Sequence, residues 1–524
     1  MEVCITSKEM VKPSSEDVYL RKPFSLSLLD QIFPPFYWPL MFFYTKPNGS
    51  HLDTVQTLAG LKKSLSKALN QYYPLSGRTI DNRSVGSYDK GVPYVEARVK
   101  GCLADCIAQT EQEWMSQLLP TQPFCSIPAS TSPQLTIQIN VFDCGGIAIV
   151  LCCSHKVIDA TTASAFMKSW AAFNRGSDGE IPNPDMLDIG SHLFPPLESI
   201  PQNHLSSMER FLFREGWRTT RRFVFDDNAI SALKFQAKSK HFEPTRTVAL
   251  VAFLWKYAML ASRVASGRSK PSVLTQAVNL RSRLKPRLPQ YTIGNLFGTA
   301  VSTYSSAERD IELDHLAYLV REAIEIINDQ FSRLQSGDVV EFMTDQYNPL
   351  IEIAAQGEVD LFCCSSWLNT LDGKLVDFGW GEPTSLGVWR SETRYYSFSD
   401  TIFLKETGKG KGIEAVITLD AKTMDVLEHN VEFLVFASAR LIRDEQGYCK
   451  ESQRLRFPKK RPKVGVTFSC VIQRGDGRRM IVHIIDDEAG CPRTPPDQRD
   501  EGGGFTNGGT VVAGEGESWV GEKR

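Results

Sequence analysis

The stretch IAIVLCCSHKVID, residues 147–159, decides the fold of the first half of the chain. Its first seven residues form an almost unbroken apolar run, which is typical of a strand buried on both faces. The alternation from Leu135 to Val141 predicts a partner strand before it, and helical spacing from Ala160 to Phe173 predicts a helix after it. His155 should therefore lie where a buried strand gives way to a loop and a helix.

Strands and helices continue to interleave along the chain, so the expected fold class is α/β. Helices are predicted at Leu61–Tyr73, Val248–Leu260, Leu313–Arg333 and Met424–Phe436, and a strand at Val273–Val278. The apolar stretch Phe33–Tyr44 contains three prolines. It is also shorter than the roughly 20 residues that span a bilayer. We expect it to form a buried segment at a sheet edge.

Length and composition indicate two domains followed by a C-terminal tail. A chain of 524 residues exceeds what one hydrophobic core usually supports. The chain between residues 174 and 207 is rich in Gly, Pro, Asn and Asp, which is typical of an exposed connection. We predict an N-terminal domain at 1–175, a crossover linker at 176–206, a C-terminal domain at 207–438 and a largely disordered tail at 439–524.

The tail carries basic clusters at Arg454–Arg456 and Lys459–Lys463, followed by a Gly-rich end. The second cluster matches the composition of a nuclear import signal, although a solvated run of charge is the commoner meaning of such a pattern.

Charge and cysteine usage narrow the range of partners. The formal net charge is -2, from 59 basic and 61 acidic residues, so no long-range field would gather nucleic acid or an anionic membrane. The 12 cysteines show no paired C-x-x-C spacing, which indicates reduced thiols and no metal site. Because the N-terminus lacks a basic region followed by an apolar core, we expect a cytosolic protein. A small-molecule partner fits these features best.

His155 and Asp159 form the pattern His-x-x-x-Asp, which by itself carries little weight, because a second match occurs at His483 and Asp487 in the tail. His155 differs in context, since it ends a buried strand near the expected interdomain cleft. An imidazole there, with a reference pKa of about 6.5, can accept a proton near neutrality. A satisfied core histidine remains the alternative at this point, and Asp159 fits either an orienting role or a loop anchor.

The second informative segment is the loop Asp377-Phe378-Gly379-Trp380-Gly381. Two glycines flanking a tryptophan fit a sharp, packed turn, because glycine lacks a Cβ atom. The residues alone indicate a structural loop, in which Asp377 fits an ion pair or a turn better than a catalytic role.

Together, the two segments resemble the BAHD acyl-CoA dependent acyltransferases of plants. The opening segment Lys8–Pro13 and the stretch Phe33–Pro35 are similar to the vinorine synthase-like branch of that family. His155-x-x-x-Asp159 is followed more than 200 positions later by the intact Asp377–Gly381 loop. Smaller shared marks are Tyr73–Arg78, Pro244–Arg246, Asn279–Arg283 and Gly294-Asn295. The resemblance covers about residues 1–438 and omits the tail.

The resemblance implies two domains, each with a mixed β-sheet and flanking helices in a chloramphenicol acetyltransferase-like arrangement, joined by a crossover loop. Acyl-CoA, with acetyl-CoA as the expected donor, would be a co-substrate with no bound cofactor, and would meet an alkaloid or terpenoid alcohol at His155. His155 would act as general base in a monomeric enzyme. The alternatives are a non-catalytic binding or regulatory paralogue on the same scaffold, or an acyltransferase that uses a bulkier acyl-CoA.

The resemblance also assigns roles to other residues. Ser365 and Trp367 match a family segment implicated in stabilising the oxyanion of the tetrahedral intermediate. Asp159 is expected to be a structural anchor that pairs with an arginine of the Asn279–Arg283 segment, and Arg281 is the expected partner. Asp377 is a motif residue with an expected structural role, and the rest of the structural motif is Phe378, Gly379, Trp380 and Gly381.

Overall fold

The structure is a computed structural model of the whole chain. It describes residues 2–439 with gaps at 46–52, 109–112, 125–130, 178–181, 201–202, 215, 241, 306–310, 334–347, 351, 353–357, 369, 371–375, 388–396 and 408–411. Beyond residue 439 it describes four short strands. The chain separates into two compact units, Met1–Asp444 and Glu445–Arg524.

The first unit alternates strands and helices throughout its described length. Its strands are β1 (Val3–Val11), β2 (Phe24–Ser25), β3 (Tyr37–Tyr44), β4 (Arg78–Asp81), β5 (Ser84–Gly86), β6 (Val92–Val99), β7 (Leu135–Phe142), β8 (Ile147–Ser154), β9 (Phe213–Arg214), β10 (Arg218–Phe225), β11 (Ser272–Asn279), β12 (Phe297–Tyr304), β13 (Asp360–Ser366), β14 (Ser385–Gly387), β15 (Ser397–Phe398), β16 (Thr401–Glu406), β17 (Ile413–Asp420) and β18 (Ser438–Ala439). Its helices are α1 (Leu28–Gln31), α2 (Thr54–Gln71), α3 (Leu103–Ala108), α4 (Glu113–Ser116), α5 (Ala160–Asn174), α6 (Ile189–Leu193), α7 (His204–Leu212), α8 (Asp227–Gln236), α9 (Arg246–Ser266), α10 (Leu313–Arg333), α11 (Ala421–Glu428) and α12 (Val431–Phe436).

The first sheet has the strand order β1-β6-β7-β8-β3-β14 and is mixed, because β6 and β7 run parallel while the other neighbours are antiparallel. All eight residues of β8 are buried, as its apolar run predicts. The segment Phe33–Tyr44, which contains β3, is expected at a sheet edge. It is buried, but β14 from the later half of the chain pairs with its outer side, with Ser385 opposite Phe43 and Gly387 opposite Met41.

The second sheet has the order β12-β11-β13-β16-β17-β10-β18 and is also mixed, with β13 parallel to both of its neighbours. Each large sheet carries its own hydrophobic core with helices packed against it: α2 and α5 on the first, α9 and α11 on the second. This arrangement confirms the predicted fold class, an α/β protein with two sheet-bearing domains.

Local capping explains where the helices begin. The Asp53 carboxylate accepts hydrogen bonds from the amides of Val55 and Gln56, so α2 begins seven residues before the predicted Leu61. The predicted helix Met424–Phe436 is broken in two, because the side chain of Asn430 accepts from the Phe433 amide and starts a new helix. Both differences arise from single polar side chains that apolar periodicity does not register.

Among the residues that the structure describes, one helix, α9, is long and apolar enough to cross a membrane. In its most apolar window 67% of the residues are buried inside the fold, where α9 packs against α8 and α10. The surroundings of α9 are those of a core helix.

The second unit contains β19 (Phe468–Gln473), β20 (Arg479–Ile484), β21 (Val511–Ala513) and β22 (Glu517–Trp519), which form an antiparallel sheet in that order. The basic clusters at Arg454–Arg456 and Lys459–Lys463 lie outside the described residues. Disorder across most of 439–524 stays a prediction.

Candidate active site

His155 follows the last residue of β8 and is held by its backbone and its ring. Its amide donates to the Phe36 carbonyl at 2.9 Å, and its Nδ1 lies 3.0 Å from Oδ1 of Asn295. The Asn295 amide nitrogen donates to the His155 carbonyl at 2.7 Å and to the Asp30 carboxylate at 3.1 Å. Because a backbone carbonyl can only accept, these contacts fix the orientation of the Asn295 side-chain carboxamide. Its Oδ1 therefore accepts from His155 Nδ1–H, and Nε2 keeps its lone pair.

Burial of the imidazole lowers the pKa of His155 below its ordinary value, since a charged ring is poorly solvated there. The charge of Asp159 and the hydrogen bond that His155 donates to Asn295 act in the opposite direction. The net direction favours a neutral ring at physiological pH. A neutral imidazole with a free Nε2 has the protonation state that a general base requires.

Aromatic rings enclose the His155 imidazole. Phe33 stacks on it with centroids 5.1 Å apart and an interplanar angle of 10°. Phe36 lies 5.2 Å away, and Trp38 and Phe297 lie 6.1 Å away. These apolar faces strengthen electrostatic interactions at the base by excluding water.

Asp159 is turned toward the second sheet-bearing domain. Its two carboxylate oxygens lie 2.7 Å and 3.1 Å from the guanidinium nitrogens of Arg281, and Oδ1 also accepts from the Thr162 amide at 2.7 Å. Arg281 is fully buried, and it donates further to the carbonyls of Thr292 and Gly294. The ion pair that the resemblance implies is thus present. Asp159 caps α5 and ties the two domains together, while Asn295 takes the place beside the His155 ring.

The Asp377–Gly381 loop lies at the opposite end of α5. Asp377 Oδ1 accepts from the amides of Gly379 at 2.7 Å and Gly381 at 2.8 Å, and both glycines have positive φ, +105° and +109°. The Phe378 carbonyl accepts from the side chain of Asn174, the last residue of α5. A helix of 15 residues separates this contact from Asp159, or roughly 22 Å at 1.5 Å per residue.

The aromatic residues of this loop are packed. Phe378 is buried and meets Trp170 edge-on at 5.1 Å, while Trp380 stacks on Phe378 at 5.5 Å. Tyr44 at the end of β3 packs edge-on against both rings. The Asp377 carboxylate therefore shapes a turn that fastens the later half of the chain to α5 and β3, and the structure does not bring it to His155.

Ser365 and Trp367 lie at the end of β13. The Trp367 indole N–H donates to Ser365 Oγ at 3.1 Å, so in this structure it does not point to a substrate oxygen as the resemblance implies. The hydroxyl hydrogen of Ser365 is the donor that this arrangement can direct elsewhere. The Trp38 ring contacts both Trp367 and His155, with ring centroids 5.9 Å and 6.1 Å apart.

Sequence reasoning missed two residues that hold the base. Asn295 belongs to the pair Gly294-Asn295 that the family shares, but the sequence alone assigns no role to Asn295 or to Asp30. Asp30 forms a capping box with Ser27 at the start of α1, which is a local contact. Its carboxylate also accepts a hydrogen bond from the distant Asn295 backbone amide at 2.7 Å. The Ser-x-x-Asp spacing was a readable signal for the cap, but no local pattern joins residue 30 to residue 295.

Two mixed sheets, with the Asp159–Arg281 ion pair between them and His155 beside it, fit the two-domain acyl-CoA dependent acyltransferase that the sequence resembles. The family model described as the Transferase family matches residues 1–434, and the chain belongs to this family, the BAHD acyltransferases. It is an acyltransferase whose co-substrate is acyl-CoA.

Its relatives place it in the vinorine synthase-like branch. It is 34% identical to stemmadenine O-acetyltransferase of Catharanthus roseus over 430 residues, 81% of this chain and 95% of the relative. It is 33% identical to a limonoid 21-O-acetyltransferase of Melia azedarach over 441 residues, 84% of this chain and 99% of the relative. The crystal structure of vinorine synthase superposes with a TM-score of 0.68 at 31% identity, covering 84% of this chain and 99% of that one.

Proposed function

We propose that this protein transfers an acetyl group from acetyl-CoA to a hydroxyl of a small plant specialised metabolite, with His155 as the general base. The observation that carries the proposal is the fixed tautomer of His155, whose Nδ1–H is committed to Asn295 while Nε2 remains able to accept a proton. Two relatives named as O-acetyltransferases support acetyl as the transferred group and a hydroxyl as the acceptor.

The chemistry follows from that lone pair. Nε2 of His155 removes the proton of the acceptor hydroxyl while the hydroxyl oxygen attacks the thioester carbonyl carbon. The tetrahedral intermediate then collapses, the C–S bond breaks, and the imidazolium returns the proton to the thiolate of coenzyme A. A base of this kind contributes about 10² to 10⁴ in rate.

The Ser365 hydroxyl is the proposed donor to the oxyanion of the intermediate. Its oxygen accepts from the Trp367 indole, which polarises the O–H and makes it a better donor. Trp367 would thus act through Ser365 and would not contact the oxyanion itself.

The aromatic rings around His155 favour an acceptor with an apolar body, such as an alkaloid or terpenoid alcohol. We further propose that the enzyme acts as a cytosolic monomer.

The test is product identification with the full-length protein. Purified enzyme is incubated with acetyl-CoA or bulkier acyl-CoA donors and a panel of alkaloid and terpenoid alcohols, and products are identified by mass spectrometry. His155→Ala is the matched control. An acetyl ester formed only by the wild type supports the proposal. A product from a bulkier donor alone would overturn the acetyl assignment, and release of no product across donors and acceptors would favour a binding protein.

A further inference from the structure

Lys156 is a buried charged residue inside the His-x-x-x-Asp motif, and the proposed chemistry does not use it. Its side chain is only 1% exposed. The amine donates to the carbonyl oxygens of Gln31 at 2.9 Å and Phe33 at 2.8 Å. A lysine is rarely this buried unless its amine is hydrogen-bonded or paired with a charge, and these two contacts allow the burial of Lys156.

The two carbonyls belong to the turn that ends α1. The Gln31 carbonyl ends α1 without a partner inside the helix, and Lys156 donates to it together with the Asn82 side chain at 3.4 Å. The Phe33 carbonyl lies two residues further on and also accepts from Lys156. Phe33 lies at the end of the same turn and stacks on the His155 ring at 5.1 Å. By fixing the Phe33 backbone, the Lys156 amine fixes the ring that covers one face of the imidazole.

The same turn reaches the other side of the imidazole through Asp30. The Asp30 carboxylate accepts from the backbone and side-chain nitrogens of Asn295, which in turn accepts from His155 Nδ1. The short element 28–33 therefore constrains both the face of the His155 ring and its Nδ1 atom.

Other contacts join this turn to the predicted crossover linker, residues 176–206. The Gln31 side chain exchanges two hydrogen bonds with the Leu197 backbone, at 3.0 Å and 2.8 Å. The titratable groups that face Lys156 are Asp30 and His204, and His204 also bonds the Ile32 backbone. Burial lowers the pKa of Lys156 to about 7, against the opposing charge of Asp30. A neutral amine still has two N–H groups, as many as the two carbonyls require.

We propose that Lys156 is a positioning residue of the active site, which locks the 30–33 turn so that Phe33 and Asp30 together hold the His155 imidazole in its reactive orientation. The inference rests on the proposed role of His155 as the base.

The first test compares purified full-length variants. Lys156→Met keeps the length of the side chain but removes the donors, and should lower kcat roughly 10- to 100-fold through misplacement of the base, with an unchanged KM for acetyl-CoA. Because a loosened turn admits water to the imidazole, the acid limb of the kcat/KM profile should move toward the ordinary histidine pKa. Lys156→Arg, which keeps the donors, should recover part of the rate.

The matched control is Lys405→Met. Lys405 is also buried, at 6% exposure, and contacts the Leu386 carbonyl at 2.5 Å and Glu414 at 3.3 Å. This variant should lose stability but keep the acid limb of the wild type.

A double-mutant cycle tests the route of the effect. If Lys156 acts through Phe33, Lys156→Met combined with Phe33→Leu should lower kcat no further than the more damaging single change, because both disrupt one contact. Wild-type kcat and pH profile in Lys156→Met, or losses that multiply in the double variant, would overturn the proposal.

Titration of the histidine ring signals by NMR separates this proposal from the proposed function, since it needs no turnover. The His155 signal is assigned by its loss in His155→Ala. A rise in the His155 pKa in Lys156→Met supports positioning even if the wild type acetylates none of the alcohols tested, and an unchanged pKa contradicts it. If Lys156→Met does not fold, the same comparison is made with Lys156→Arg, where a His155 pKa and kcat close to wild type support the role of the donors and losses equal to those of Phe33→Leu contradict it.

Discussion

Replacing Asp159 with asparagine should destabilise the fold far more than it slows the chemistry. Asparagine keeps an oxygen that can cap α5 by accepting from Thr162, but it lacks the negative charge that faces Arg281 at 2.7 Å and 3.1 Å. Because Arg281 is fully buried, its guanidinium would remain in the interior without a counter-charge.

Breaking a buried ion pair by removing one partner costs about 3 to 5 kcal/mol. Arg281 keeps the carbonyls of Thr292 and Gly294 as acceptors, so we expect a loss at the lower end, about 3 kcal/mol. That is a large share of the roughly 5 to 15 kcal/mol by which a folded domain is usually stable.

The assay pairs urea unfolding, followed by tryptophan fluorescence, with turnover per folded molecule. Asp400→Asn is the matched control, because the Asp400 carboxylate forms a similar ion pair, 3.0 Å from the Nε atom of Arg218 in β10. Both variants should unfold at lower urea, and both should keep kcat within about a factor of ten of wild type. An Asp159→Asn protein with wild-type stability and abolished turnover would contradict this expectation and make Asp159 part of the chemistry.

Three further outcomes are expected. Burial lowers the pKa of His155, so kcat/KM should rise with pH through a midpoint below about 6.5 and then level off. The free energy of unfolding should fall as the pH falls through the same lowered pKa, because the folded state then binds the proton less readily than the unfolded chain does. A rise in kcat/KM centred above about 6.5 would contradict the lowered pKa. Asn295→Ala removes the acceptor that fixes the tautomer and should lower kcat roughly 100-fold at unchanged KM for acetyl-CoA, whereas an unchanged kcat would show that the contact is dispensable. Deleting the chain after Asp444, where the first unit ends, should leave kcat and the unfolding midpoint of that unit unchanged, and lost turnover would give the tail a role.

The elements that position His155 were predictable because their signals are local. The apolar run of β8 and the helical spacing after Asp159 each lie within one window of sequence, and the structure gives β8 and α5 almost at the predicted bounds. The Arg281 partner of Asp159 came from the family resemblance, since 122 positions separate the two residues and no periodicity connects them.

The features that were missed depend on distant pairing or on single polar side chains. β14 has three residues, too few for a strand pattern, and its place beside β3 is set by a register across more than 300 positions. Asn295 and Asp30 act together only because the fold brings them within hydrogen-bonding distance. The resemblance implies that the Trp367 indole is an oxyanion donor, and only the three-dimensional geometry shows that it donates to Ser365 Oγ.

We propose above that His155 is the base of an acetyl-CoA dependent O-acyltransferase. The direct measurement is the rate at which purified His155→Ala releases coenzyme A with acetyl-CoA and the best alcohol acceptor of the wild type, at equal concentrations of folded protein. We expect the rate to fall about 10² to 10⁴-fold with an unchanged unfolding midpoint. A His155→Ala enzyme that turns over at the wild-type rate would contradict the claim.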